Sequence, residues 1–121
     1  MFDFEKLQVY QKAKEFNLEV KKDILALVKL ERVSRDQLRR ASMSIMLNIA
    51  EGTSRFSNAD KRNFYVIARG STFECVAIFD LLSSEGVIKS EINKFFYSKA
   101  EEISKMLYSM IRSLEKSYVK K

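Results

Sequence analysis

Arg32, Arg35 and Arg39 recur at spacings of three and four, which gathers three guanidinium groups on one helical face. Arg40 falls on a neighbouring face, and Arg55, Lys61 and Arg62 approach from the far end of the same segment. Guanidinium forks suit phosphate oxygens because their paired N–H groups match two acceptors at once. Tyr10 and Tyr65 add ring faces on which bases stack if those rings are exposed. The pattern reads as a nucleic-acid surface. Its alternative is a solvated face on which the cations pair with Glu31, Asp36 and Asp60. On the nucleic-acid reading, reversing Arg35 and Arg39 to glutamate is expected to weaken binding without unfolding the bundle.

Other chemistry is poorly supported. Glu51 and Glu74 stand near apolar positions and suggest a metal or acid–base pair. A carboxylate metal site in a helical bundle draws on Glu-x-x-His, however, and the chain has no histidine. Both carboxylates are expected to pair with Arg55, Arg69 or backbone amides. Cys75 sits on an apolar stripe without a histidine base, so it reads as a small hydrophobe. A lone cysteine forms no intramolecular disulfide, and without histidine a conventional Cys/His zinc site within one chain is ruled out. No enzyme activity, metal or cofactor is expected.

The elements that must position the cations are helices. The 121 residues include no proline and only three glycines, too few for the tight turns of a strand-rich protein. One domain spanning 1–121 is expected. Leu7, Tyr10, Ala13, Asn17, Val20, Ile24 and Leu27 mark a first helix over about 4–29, with Phe16, Leu18, Leu25 and Val28 widening its apolar face. Asp3 is its expected cap, with Phe2 and Leu7 as a hydrophobic staple. Ser34 and Gln37 form a capping box for a second helix over 35–51. Gly52 is its expected left-handed stop. Ser57 or Asn58 caps a third helix over 58–85, which Gly86 ends. Ser90 caps a fourth over 91–118, with Tyr118 on its apolar stripe and Lys116, Lys120 and Lys121 at its negative end. Short connections give an all-α, antiparallel, up-down-up-down four-helix bundle.

The third helix is apolar nearly all round. Val66, Phe73, Val76 and Phe79 lie off its main stripe, which points to an oligomer interface. The alternative is a flattened bundle with this helix at its centre. Net charge is +6, from 22 basic and 16 acidic residues. The excess lies in residues 31–62 and 91–121, whereas residues 63–90 hold two basic and three acidic groups. Such a chain can meet a polyanion with one surface and bury another; the plainer reading is that charge keeps it soluble. Apolar runs fall short of a membrane span, and the N-terminus lacks the pattern of a secretion signal, so a cytoplasmic protein is expected.

QLRRASMSIMLNIAEGTSR, followed by NFYVIARGSTFE, resembles the four-helix-bundle proteins encoded in intervening sequences of bacterial large-subunit (23S) ribosomal RNA genes, a family also classed with ribosomal proteins. The likeness begins at FEKLQVYQKAKEF and runs through the fourth helix. The resemblance implies a left-handed bundle and a ring-like homopentamer with a central channel. A related group, the accessory proteins of diversity-generating retroelements, binds nucleic acid and a reverse transcriptase. The implied partners are therefore RNA or DNA, or a protein that the ring contacts as a scaffold. No enzymatic activity is implied. The family pattern falls on Arg39, Arg40, Ser44, Asn48, Ile49, Ala50, Glu51, Gly52, Arg55, Ala68, Arg69, Gly70, Ser71 and Glu74. The loop before Ser34 departs from it in lacking a proline.

Overall fold

A computed structural model describes residues 1–119, with side-chain surroundings through residue 115. The expectations for Lys116, Tyr118, Lys120 and Lys121 lie outside the described residues. Four α-helices and no strands are present among the described residues: α1 (Gln8–Val20), α2 (Arg32–Thr53), α3 (Asn58–Ser84) and α4 (Ser90–Val119). The backbone of α3 runs against both α2 and α4, and that of α1 against α2 and α4, so the four helices surround one core. No described helix is long and apolar enough to cross a membrane.

The core centre is aromatic. Phe16 of α1, Phe79 of α3 and Phe96 of α4 are fully buried and meet with ring centroids 5.3–6.1 Å apart. Ala13, Ile45, Ile49, Ala68, Ile103 and Leu107 extend this core along the bundle. One buried polar contact is built into it. The Ser42 hydroxyl donates to the Asn17 Oδ1 at 3.0 Å, and the Asn17 amide reaches the Met46 sulfur at 3.8 Å. A satisfied polar pair of this kind favours one alignment of α1 on α2 over its neighbours.

Several expected boundaries move, each for a visible reason. Asp3 caps no helix. Residues Asp3–Lys6 form a 3-10 turn, and Leu7 is extended before α1 begins. The turn is held by Phe4 edge-on to Tyr10 at 4.7 Å and by the Gln11 amide donating to the Glu5 carbonyl at 2.9 Å. At its other end α1 widens into a π-helical segment, Lys21–Leu25, and the chain turns off at Ala26. Leu18 and Val28, expected on the apolar face, are exposed. The helix therefore stops short of Lys29, and buried Leu30 anchors the connection instead.

α2 begins at Arg32, before the expected capping box, and no side chain caps it. Ser57 does cap α3, its hydroxyl accepting from the Asp60 amide at 3.1 Å. Gly86, with φ of +74°, follows α3 in the left-handed conformation that glycine alone adopts without strain. Gly52 has no such role. It is buried inside α2, and a methyl group there would stand 2.6 Å from Cε1 of Tyr65. Its purpose is close approach of α2 to α3. Gly52→Ala is expected to lower stability in urea unfolding by about 1–2 kcal/mol, because overpacking outweighs the gain in helix propensity.

Candidate nucleic-acid interface

The expected cations fall at two sites rather than one. Arg39 is fourteen residues before the end of α2 at Thr53, a rise of about 21 Å at 1.5 Å per residue, and Arg55 lies just beyond that end. One group surrounds the corner between α1 and α2. The other surrounds the α2–α3 loop.

At the corner, Arg35 has turned inward. Its Nε donates to the Leu25 carbonyl at 3.1 Å and its Nη2 to the Leu27 carbonyl at 2.7 Å. Those carbonyls lie at the end of the first helical segment, where helical partners run out. A cation there also meets the negative end of the helix dipole. Arg35 is therefore a brace for the corner and no free ligand for phosphate. Reversal of Arg35, unlike that of Arg39, removes both of these hydrogen bonds and is expected to cost the fold stability.

Arg32 and Arg39 share a single carboxylate, Asp36, at 4.0 and 3.5 Å. All three side chains are more than half exposed, so water screens these pairs and phosphate can compete for the guanidinium groups. Arg40 is exposed and has no ion pair or side-chain hydrogen bond among the described residues. Two further cations stand at this corner, Lys21 and Lys22, both exposed and equally unpaired. Neither was singled out from the sequence. Their signal was adjacency: two lysines together just before the chain turns towards the arginines. Residues 21–40 carry seven cations against Asp23, Glu31 and Asp36.

The second group is largely neutralised. Arg55 pairs with Glu51 at 3.2 Å and lies 4.5 Å over the Phe64 ring. Lys61 donates to the Thr53 carbonyl at 3.2 Å. Arg62 pairs with Glu115 at 2.6 Å, and Arg112 reaches the same carboxylate at 3.3 Å. Tyr65 is 5% exposed and supplies no stacking platform, and Tyr10 is half-buried against Phe4. The fully exposed ring beside this group is Phe56 in the loop.

The carboxylates are not brought together. Gly52 meets Tyr65 and Ser44 meets Ser71, so Glu51 lies level with the first turns of α3, about 14 Å along the helix from Glu74. No group of acidic or thiol side chains among the described residues has the arrangement to hold a metal ion. Asn48 donates to the backbone and hydroxyl oxygens of Ser44 at 2.8 and 2.9 Å, and the Ser44 and Ser71 hydroxyls are 2.8 Å apart. This network ties α2 to α3. Phe79, expected at an oligomer interface, is instead at the centre of the core. Val66 and Phe73 do face outward, and Val76 is half-buried in the α3–α4 groove.

Burial, and then the neighbouring Glu74 charge, push the Cys75 thiol up to about 12. The thiolate is the reactive form. Alkylation of the native protein at pH 8 should thus run at least about 10³-fold slower than in urea, a difference that timed labelling reads directly.

The family model for the 23S rRNA-intervening sequence protein matches residues 5–109. The fold is similar to a crystal structure, from Bacteroides thetaiotaomicron, of a protein of unknown function from the S23 ribosomal protein family. That match has a TM-score of 0.80 and 30% identity, and it covers 85% of this chain and 97% of the other. No curated protein matches the chain. With the family model spanning most of its 121 residues, the chain belongs to the 23S rRNA-intervening sequence protein family.

Proposed function

We propose that this protein is a non-enzymatic, basic bundle that binds RNA or another nucleic acid electrostatically and works as a ring-like homo-oligomer. The helices run antiparallel, up-down-up-down; the contacts Asn17–Ser42 and Leu25–Arg35 support this for the first two helices, Gly52–Tyr65 and Ser44–Ser71 for the second and third, and Arg62–Glu115 and Arg69–Tyr108 for the third and fourth. The observation that carries nucleic-acid binding is the α1–α2 corner. There Lys21, Lys22 and Arg40 are exposed and unpaired among the described residues, and Arg32 and Arg39 share one exposed carboxylate. Cations of this kind bind phosphates by releasing condensed counterions, without reading sequence.

Reversing Lys21, Lys22 and Arg40 to glutamate is expected to weaken binding to a single-stranded RNA at least tenfold at low salt. Reversing Lys6, Lys94 and Lys99 changes net charge equally and should weaken it far less. Equal losses from the two triple variants, read by fluorescence anisotropy, contradict a localised site. A second reading has its own support in the outward apolar side chains of α3. On that reading the ring is a scaffold presenting basic surface to an acidic protein or a polymerase. Absence of RNA binding even at low salt favours the scaffold.

A further inference from the structure

Arg69 is left incomplete by its own chain. Its guanidinium lies 4.8 Å from the Phe73 ring centroid and 5.3 Å from that of Tyr108. Both rings are more than half exposed. The Nε is buried and has no hydrogen-bond partner, and no described carboxylate is within ion-pair distance. A buried N–H without an acceptor is costly, and a second chain seated on the half-buried Arg69 can supply the acceptor. Arg69 lines two depressions of about 660 and 490 Å³ between α3 and α4, bordered by Val66, Tyr97 and Tyr108.

The complementary group is on the opposite flank of the same helix. Glu74 is exposed and unpaired among the described residues. It stands on a flank where Ile67 of α3 and Met43 and Leu47 of α2 are also exposed. Five residues separate Arg69 from Glu74, about 7.5 Å along α3 and some 140° around it, so neither serves the other within one chain. An unpaired cation in an apolar groove on one flank, and an unpaired carboxylate on an apolar flank opposite, make surfaces that fit head to tail. Between them Gly70 leaves open space for a neighbour's close approach. Residues 63–90 are also where acids outnumber bases, so copies of a chain with net charge +6 repel each other least there.

We infer that the α3–α4 groove of one copy receives the α2–α3 flank of a second copy, with Glu74 of the incoming copy accepting from Arg69. This rests on the homo-oligomer reading above and names its contact. The test is charge exchange, followed by sedimentation velocity over a range of protein concentrations. Arg69→Glu and Glu74→Arg alone should each raise the dissociation constant of the assembly by at least about 30-fold, as expected on losing one partner of a desolvated charge pair. The double variant Arg69→Glu/Glu74→Arg should assemble again. Circular dichroism of each variant checks that the helices persist. Single variants that assemble like wild type overturn the pairing, and so does a double variant as dissociated as the singles; in both cases the homo-oligomer reading stands. A wild-type chain that is monomeric throughout overturns both.

Discussion

Phe79→Ala is expected to lower the unfolding free energy by about 3–5 kcal/mol and the Tm by at least about 10 °C. Phe79 has no exposed surface and touches the Phe96 ring at 5.3 Å and the Phe16 ring at 6.1 Å. Truncation would open a cavity where three helices meet, and the facing rings belong to different helices that cannot easily collapse onto it. Phe73→Ala is the useful contrast. That ring is 55% exposed, so its loss should cost the fold little while weakening assembly. Urea unfolding of the two variants separates the core ring from the surface ring. Similar losses from both would show that the packing of α3 has been misassigned.

Arg35→Met should cost about 2–3 kcal/mol, the scale of hydrogen bonds made by a charged donor. The variant keeps the side chain's length but leaves the Leu25 and Leu27 carbonyls without their donor at the end of the first helical segment. Lysine at this position can reach one carbonyl but not fork to two, so Arg35→Lys should recover only part of the loss. Because Arg35 holds the corner together, Arg35→Met is expected to weaken RNA binding as well. Arg40→Ala should weaken binding with stability unchanged. Equilibrium unfolding and RNA titration on the same variants distinguish a brace from a ligand. A stable Arg35→Met with impaired binding would return Arg35 to the ligand set.

The sequence was most legible where a local signal was enough. The Ser57 cap and the Gly86 stop depend on residues within one turn of themselves, and both stand where expected. The four helices were legible from spacing. The phase of α3 was not, because a helix apolar nearly all round offers no contrast by which to choose an inward face. Phe79 and Phe73 look alike in sequence, yet one is core and the other surface. Gly52 read as a helix stop; it is instead room for a neighbour, and the deciding ring, Tyr65, is thirteen residues away. Arg35 shows the same limit in the candidate site. An arginine at helical spacing with Arg32 and Arg39 suits a phosphate, but only the fold brings the Leu25 and Leu27 carbonyls within its reach. At the N-terminus, Phe4 against Tyr10 overrides the cap offered by Asp3.

The claim that the α1–α2 corner is a phosphate-binding surface is tested most directly by the salt dependence of RNA affinity. For wild type, the logarithm of the binding constant should fall steeply and linearly with the logarithm of salt concentration, and the variant lacking Lys21, Lys22 and Arg40 (each to alanine) should show a slope shallower by about two, at about 0.7 per lost contact to a single strand. A wild-type slope near zero, or an unchanged slope in the triple variant, would contradict it.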